Sequence, residues 1–138
     1  MKKVLFLCTG NSCRSQMAEG FLKHIAADKF EIFSAGVKPT MINPIVIKVM
    51  AEVGVDISKQ RSKSVMEFIN QKFDYVITVC NKAKQTCPVF PGKYEKIHWD
   101  IEDPAEAQGN EKEKLRVFRK IRDKIQKNIL QFTAQKNK

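Results

Sequence analysis

Apolar residues along this chain fall into two patterns, short unbroken runs and stripes that recur every three to four residues. Val4-Leu5-Phe6-Leu7 is a continuous apolar run, as a strand buried on both faces of a parallel sheet requires. A polar, Gly-containing loop follows from Thr9 to Ser12. Met17 and Ala18, Phe21 and Leu22, and Ile25 and Ala26 then recur every four residues as one stripe along a helix. Phe30-Glu31-Ile32-Phe33 predicts a second strand, and strand, helix, strand in so short a stretch predicts a right-handed βαβ unit. Asn43-Pro44 starts another helix with a cap residue and a proline in its first turn. Val46, Val49, Met50 and Val53 form its apolar stripe, and Gly54 stands where a helix C-terminal glycine belongs. A short helix is predicted from Ser64, with Glu67 completing a capping box. Tyr75-Val76-Ile77-Thr78-Val79 is the clearest strand, and Lys96-Ile97-His98-Trp99 is a weaker fourth one. Leu115, Phe118, Ile121, Ile125, Ile129 and Phe132 mark a long final helix.

Strands alternating with helices predict a three-layer α/β/α domain around a four-stranded parallel sheet. Its 138 residues suit a single domain, 1–138, with no linker, repeat or low-complexity segment. In such sheets ligands bind beyond the carboxyl ends of the strands, near a topological switch point. The residues just after each strand therefore carry the functional argument.

Met1-Lys2-Lys3 followed by an apolar run resembles the start of a secretory signal, but polar residues from Thr9 to Arg14 end that run. It is far shorter than the roughly 18 residues a membrane helix needs. The expectation is a soluble, cytoplasmic, monomeric protein without a membrane association. Four cysteines are too few for a disulfide scaffold, and in a reducing compartment they point to catalysis or metal binding. The net charge of +10 raises nucleic acid as a partner. Residues 111–138 hold ten Lys or Arg against three Asp or Glu, which reads as a solvated helix face. No aromatic residues alternate with these charges as on a base-stacking platform, so no nucleic-acid partner is expected.

The loop Cys8-Thr9-Gly10-Asn11-Ser12-Cys13-Arg14-Ser15 joins the first strand to the first helix. Small residues let such a loop curl until its N–H groups form an anion nest, and the helix N-terminus adds partial positive charge. Arg14 can grip two oxygens of a tetrahedral anion through its planar fork. The same donors favour a thiolate at Cys8, and Ser15 could donate one more hydrogen bond to it. Residues Thr9, Gly10, Asn11, Ser12, Cys13, Arg14 and Ser15 are thus the candidate substrate-binding set. Cys13 has no obvious partner and is assigned to structure, and His24 to the surface or to packing.

Together with Ser34-Ala35-Gly36, the Asn43-Pro44 helix, Asp56-Ile57-Ser58 and Asp103-Pro104, this loop resembles the low-molecular-weight tyrosine phosphatase family over nearly the whole chain. The resemblance implies that fold, Cys8 as nucleophile, and Asp103 as the acid that protonates the leaving group. Asp-Pro is also a common turn dipeptide. Some relatives hold a monovalent cation through the equivalents of Asn11, Glu19 and Ser34. Lys63 stands here where an acidic residue is frequent, so its ammonium is expected to replace that cation.

Cys80 ends the clearest strand just as Cys8 ends the first, and Cys87 follows in a stretch punctuated by Pro88, Pro91 and Gly92. Adjacent strands lie about 4.8 Å apart and a disulfide spans roughly 5.5 Å between Cα atoms. If the two strands are neighbours, Cys80 comes within reach of Cys8 by a modest movement. Zinc ligation by Cys80 and Cys87 is the competing reading. Their spacing is wide for it, and His98, expected to pack beside Trp99, is the only further ligand nearby. No metal or cofactor is called for.

The stretch Cys87-Pro88-Val89-Phe90-Pro91 and the later His98-Trp99 resemble the thioredoxin-coupled arsenate reductases. That resemblance implies arsenate as substrate, thioredoxin as reductant, and Cys8, Cys80 and Cys87 as a relay with Arg14 and Asp103. Two other readings stay open. A phosphatase for aryl phosphates or phosphotyrosine needs only Cys8, Arg14 and Asp103, although Ala105-Glu106-Ala107 offers no aromatic wall. A non-catalytic basic binding module leaves that set unexplained.

Overall fold

The structure, a computed structural model, describes residues 1–81 and 89–136. Cys87 therefore lies outside the described residues. Four strands, β1 (Lys2–Cys8), β2 (Phe30–Gly36), β3 (Tyr75–Cys80) and β4 (Glu95–Asp100), alternate with three helices, α1 (Arg14–Ala26), α2 (Pro44–Ala51) and α3 (Glu111–Lys136). Two 3-10 turns, Val65–Glu67 and Pro104–Glu106, complete the regular elements. The sheet order is β2-β1-β3-β4 with every pairing parallel. The chain passes from β1 to β2 on one side and later places β3 on the other side of β1. The switch point thus lies at the carboxyl ends of β1 and β3, beside Cys8 and Cys80.

β1 is buried on both faces, and its side chains feed two cores. Val4 and Phe6 join Ile77, Val79, the stripes of α1 and α3, and Val46, Val49 and Met50 of α2. Leu5 and Leu7 join Val76, Phe68, Phe73 and Phe90 on the opposite face, where the 3-10 turn at Val65–Glu67 and the loops around it form the covering layer. Phe6 is fully buried and packs against Trp99 with ring centroids 5.9 Å apart. Burial of one such ring contributes roughly 1.5–3 kcal/mol. The central strand therefore tolerates no polar substitution.

Helix boundaries follow local chemistry, with informative departures from the predicted stripes. The Asn43 side chain accepts a hydrogen bond from Ile45 N at 3.0 Å and Pro44 occupies the first turn of α2, as predicted. The helix closes earlier than the stripe suggested. Gly54 takes a φ of +79°, the Val55 N–H returns to the Met50 carbonyl at 3.0 Å, and Val53 is exposed. Ile25 is exposed too, although Leu22 before it and Ala26 after it are buried. Ser64 caps its turn by accepting from Met66 N at 3.1 Å, but only one 3-10 turn follows instead of a helix.

At the end of α2, Glu52 accepts from Arg119 Nε at 3.0 Å and from an Arg122 terminal nitrogen at 2.9 Å, tying α2 to α3. The Arg119 hydrogen bonds, then the Arg119 charge and the Arg122 hydrogen bond, hold its carboxyl at about 2 instead of the ordinary 4.5. A depressed carboxyl stabilises the folded state above its unfolded value and loses that contribution as pH falls toward its folded value. Glu52→Gln is thus expected to unfold at lower denaturant than the parent at pH 7, with the gap closing between about pH 4.5 and 2. Denaturant midpoints across that range check it.

Candidate active site

β1 ends at Cys8 and α1 begins at Arg14, so residues 9–13 must turn the chain while satisfying five buried carbonyls. Each has a donor on its outer side. The Thr9 carbonyl accepts from Lys38 N at 2.9 Å, that of Gly10 from Thr40 N at 2.9 Å, and that of Ser12 from Asn43 N at 3.1 Å. The Cys13 carbonyl accepts from Met17 N at 3.0 Å and the Asn11 carbonyl from Gln16 Nε2 at 3.0 Å. In a trans peptide the carbonyl and the following N–H point in opposite directions. Holding these carbonyls outward turns the next N–H groups toward the concave side, which makes an anion nest.

Two residues make this curl possible. Asn11 adopts φ 49° in the left-handed region, which Asn visits more readily than other residues with a side chain. Gly36, paired with Cys8 across the sheet, has no room for a side chain. A Cβ there would lie 2.5 Å from the Thr9 carbonyl oxygen and 2.9 Å from Asn11 N. Any larger residue at position 36 would push the loop open.

Cys8 sits at the floor of the loop, buried, with Ser15 Oγ 2.8 Å and Asn11 N 3.2 Å from its sulfur. Asn11 Nδ2 donates to Ser15 Oγ at 2.8 Å and to Ser34 Oγ at 2.9 Å. Ser34 Oγ donates a short hydrogen bond to Glu19. Lys63 Nζ lies 3.4 Å from Glu19 Oε1 and donates to the Arg61 carbonyl at 2.8 Å. Burial lowers the Lys63 pKa, and Glu19 opposes that shift. The ammonium therefore meets the buried Glu19 carboxylate in the network of Asn11, Ser34 and Glu19, where the sequence suggested it would stand in for a cation.

Arg14 is buried and donates to the Ile101 carbonyl at 2.9 Å, which aims the guanidinium along the mouth of the loop. Its other terminal nitrogen lies 3.7 Å from Asp103 Oδ2. Asp103 does two things at once. Its Oδ1 accepts from Ala105 N at 3.0 Å and caps the 3-10 turn, so the turn reading was correct, while its second oxygen faces Arg14. Cys8, Thr9, Gly10, Ser12, Cys13, Arg14, Lys38, Thr40, Asp103 and Glu106 line one cavity of about 400 Å³. No aromatic ring among the described residues borders it.

Cys13 is a free thiol whose pKa burial pushes up to about 12, so it stays protonated at neutral pH. Cys8 is also a free thiol, whereas Cys80 is disulfide-bonded. β1 and β3 are adjacent, with Leu7 opposite Thr78. Strand alternation places Cys80 with Val76 and Thr78 on the face opposite Val4 and Phe6, so Cys80 ends on the far side of the sheet from the Cys8 loop. The same alternation corrects the expectation for His98. Trp99 packs on Phe6, while His98 turns to the other face and shares a hydrogen bond of 2.7 Å between Nδ1 and Thr78 Oγ1. Among the described residues, no group of three or more His, Cys, Asp and Glu could hold a metal ion.

Residues 3–138 match the family described as low molecular weight phosphotyrosine protein phosphatase. The chain belongs to that family. Its relatives include both arsenate reductases and a low molecular weight protein tyrosine phosphatase from T. tengcongensis, which superposes with a TM-score of 0.76 at 27% identity over 98% of this chain and 99% of that one. The arsenate reductase of Halalkalibacterium halodurans is 47% identical over 131 residues, spanning 95% of this chain and 94% of that protein. A solved arsenate reductase in an oxidized state superposes with a TM-score of 0.82 at 35% identity and covers 98% of both chains. The thioredoxin-dependent arsenate reductase of Corynebacterium glutamicum gives a TM-score of 0.64 at 31% identity, covering 94% of this chain and 62% of that one. No helix among the described residues is long and apolar enough to cross a membrane.

The structure brings Cys8, Arg14, Asp103 and the loop from Thr9 to Ser15 together, sets Cys80 one strand away, and leaves Cys87 undescribed. Sequence reasoning missed Gln16, which is fully buried on the outer side of the loop, and Lys38 and Glu106 on the rim. No sequence signal marks Gln16, because its burial and its contacts to Arg61 and Gln60 are set by a distant segment. Because Lys63 at 3.4 Å, together with Lys23 at 2.5 Å, already neutralises Glu19, activity is expected to change less than about twofold between potassium-free buffer and 100 mM potassium at matched ionic strength. A many-fold activation by potassium would contradict this role for Lys63.

Proposed function

We propose that this protein reduces arsenate to arsenite, with thioredoxin as electron donor and cytoplasmic arsenic detoxification as its purpose. The observation that carries the reading is a disulfide-bonded Cys80 at the end of the strand next to a free Cys8 in an oxyanion-shaped loop. A phosphatase has no use for a second cysteine at that place. The curated relatives named arsenate reductase, and a cavity with no aromatic ring among the described residues, support the same reading.

Arsenate lies in the nest of residues 9–15, with Arg14 bridging two of its oxygens. The Cys8 thiolate attacks arsenic while Asp103 gives a proton to the departing oxygen, and water leaves. The Cys80 thiolate then attacks the Cys8 sulfur. The arsenic–sulfur bond breaks toward arsenic, which leaves as arsenite carrying two more electrons, and a Cys8–Cys80 disulfide forms. Cys87 attacks Cys80, restores the Cys8 thiolate and leaves a Cys80–Cys87 disulfide. The dithiol of thioredoxin reduces that bond. The structure, with Cys80 turned across the sheet in a disulfide and Cys8 free, fits the last stage of this sequence. In the reduced protein the end of β3 must rotate Cys80 back toward Cys8.

Hydrolysis of phosphate monoesters is the second reading, favoured by the pairing of Arg14 with Asp103 over Cys8. An assay coupling arsenate to thioredoxin, thioredoxin reductase and NADPH separates the two. Turnover is expected in the parent and a loss of at least about 100-fold in each of Cys8→Ser, Cys80→Ser and Cys87→Ser. Full turnover in Cys87→Ser removes the relay. Rapid hydrolysis of tyrosine phosphate without arsenate turnover establishes the phosphatase.

A further inference from the structure

Four of the five loop carbonyls are held by backbone N–H groups, which no substitution short of proline removes. The Asn11 carbonyl is the exception, because its donor is the side chain of Gln16. Gln16 is fully buried, and its Nε2 also reaches Asn11 Oδ1 at 2.9 Å and the Arg61 carbonyl at 2.9 Å. Its own oxygen accepts from Gln60 Nε2 at 2.7 Å, so the amide orientation is fixed. An amide with both ends committed has one orientation only.

We propose that Gln16 is a positioning residue for oxyanion binding, acting through the peptide between Asn11 and Ser12. Holding the Asn11 carbonyl outward aims the Ser12 N–H into the cradle, where an oxyanion accepts it. Holding Asn11 Oδ1 fixes the side chain whose Nδ2 donates to Ser15 Oγ, itself 2.8 Å from the Cys8 sulfur. Gln16 thereby governs both the anion donors and the setting of the nucleophile without touching substrate. Without it, the Asn11 carbonyl loses its donor, and Oδ1 keeps only the Lys63 N–H at 2.8 Å, so the one peptide of the loop not held by backbone is less tightly aimed. The inference rests on the cradle reading of the loop and is indifferent to whether the natural oxyanion is arsenate or a phosphate ester.

The test is Gln16→Met, which keeps the length of the side chain and removes its donors. Inorganic phosphate is titrated as a protectant against iodoacetamide alkylation of Cys8, followed by peptide mass analysis. The half-protecting phosphate concentration is expected to rise about tenfold, as the loss of one charge-assisted hydrogen bond implies. The pH midpoint of Cys8 alkylation without phosphate is expected to move upward. A purely structural role lowers the melting temperature and leaves the protection constant alone. Protection within twofold of the parent in a folded Gln16→Met overturns the proposal. If Gln16→Met does not fold, Gln60→Ala replaces it, since Gln60 is half-buried and secures the Gln16 amide. A twofold to threefold rise, by about the same logic at one remove, supports the proposal, and no rise overturns it. Failure of the arsenate reading shows separately, as absent turnover in a parent that phosphate still protects.

Discussion

A peptide that turns its carbonyl away from a cavity turns its neighbour's N–H into it, and the loop between β1 and α1 obeys this at five successive carbonyls. Nearly every element near the switch point supplies one of the outer donors. Lys38 and Thr40 come from the segment after β2, Asn43 from the cap of α2, Met17 and Gln16 from α1. Ser62 adds a hydroxyl to the Gly10 carbonyl at 3.2 Å. The fold can be understood as the scaffold that brings these donors to one small loop. The site is preorganised for negative charge before any ligand arrives, which is where catalytic stabilisation of charged transition states is largest.

Two cysteines of one loop illustrate what such placement does. Cys13 points into the apolar core, where burial raises its pKa to about 12. Cys8 faces Ser15 and the Asn11 N–H instead, and borders the cavity with Arg14 and Asp103. The surrounding charges are arranged in depth. Asn11 and Ser34 connect the nucleophile to Glu19, and Lys23 and Lys63 together compensate that buried carboxylate. A lone carboxylate so close to an anion site would oppose binding, and its desolvation would be costly.

Much of this was legible in the sequence. The apolar run of β1, the stripes of α1 and α3, and the Asn43-Pro44 and Asp103-Pro104 signals all fall where local physics placed them. Cys8 and Arg14 stood out because spacing and residue type imply an anion-gripping loop, whereas Asp103 was marked only by the resemblance to the phosphatase family. Other features depended on distance in space. Nothing local to Gln16 reveals that its amide faces a carbonyl five residues back and another 45 residues on. The departure at Val53 arises because the apolar periodicity continues past Ala51, where α2 ends ahead of the turn at Gly54. The α/β pattern left the adjacency of β1 and β3 as a condition that the structure meets, and adjacency alone said nothing of which face Cys80 would take. Strand alternation decides that, and it puts Cys80 beside Thr78 rather than beside Cys8.

The redox reading therefore depends on whether Cys80, once reduced, turns back across the end of the sheet to meet the first sulfur. Trapping answers this most directly. Fully reduced Cys87→Ser is mixed with one equivalent of arsenate in the absence of thioredoxin, then quenched in acid and mapped by mass spectrometry under non-reducing conditions. The account predicts one equivalent of arsenite and a peptide pair joined through Cys8 and Cys80. Arsenate recovered unchanged, with both cysteines still free thiols, would contradict it.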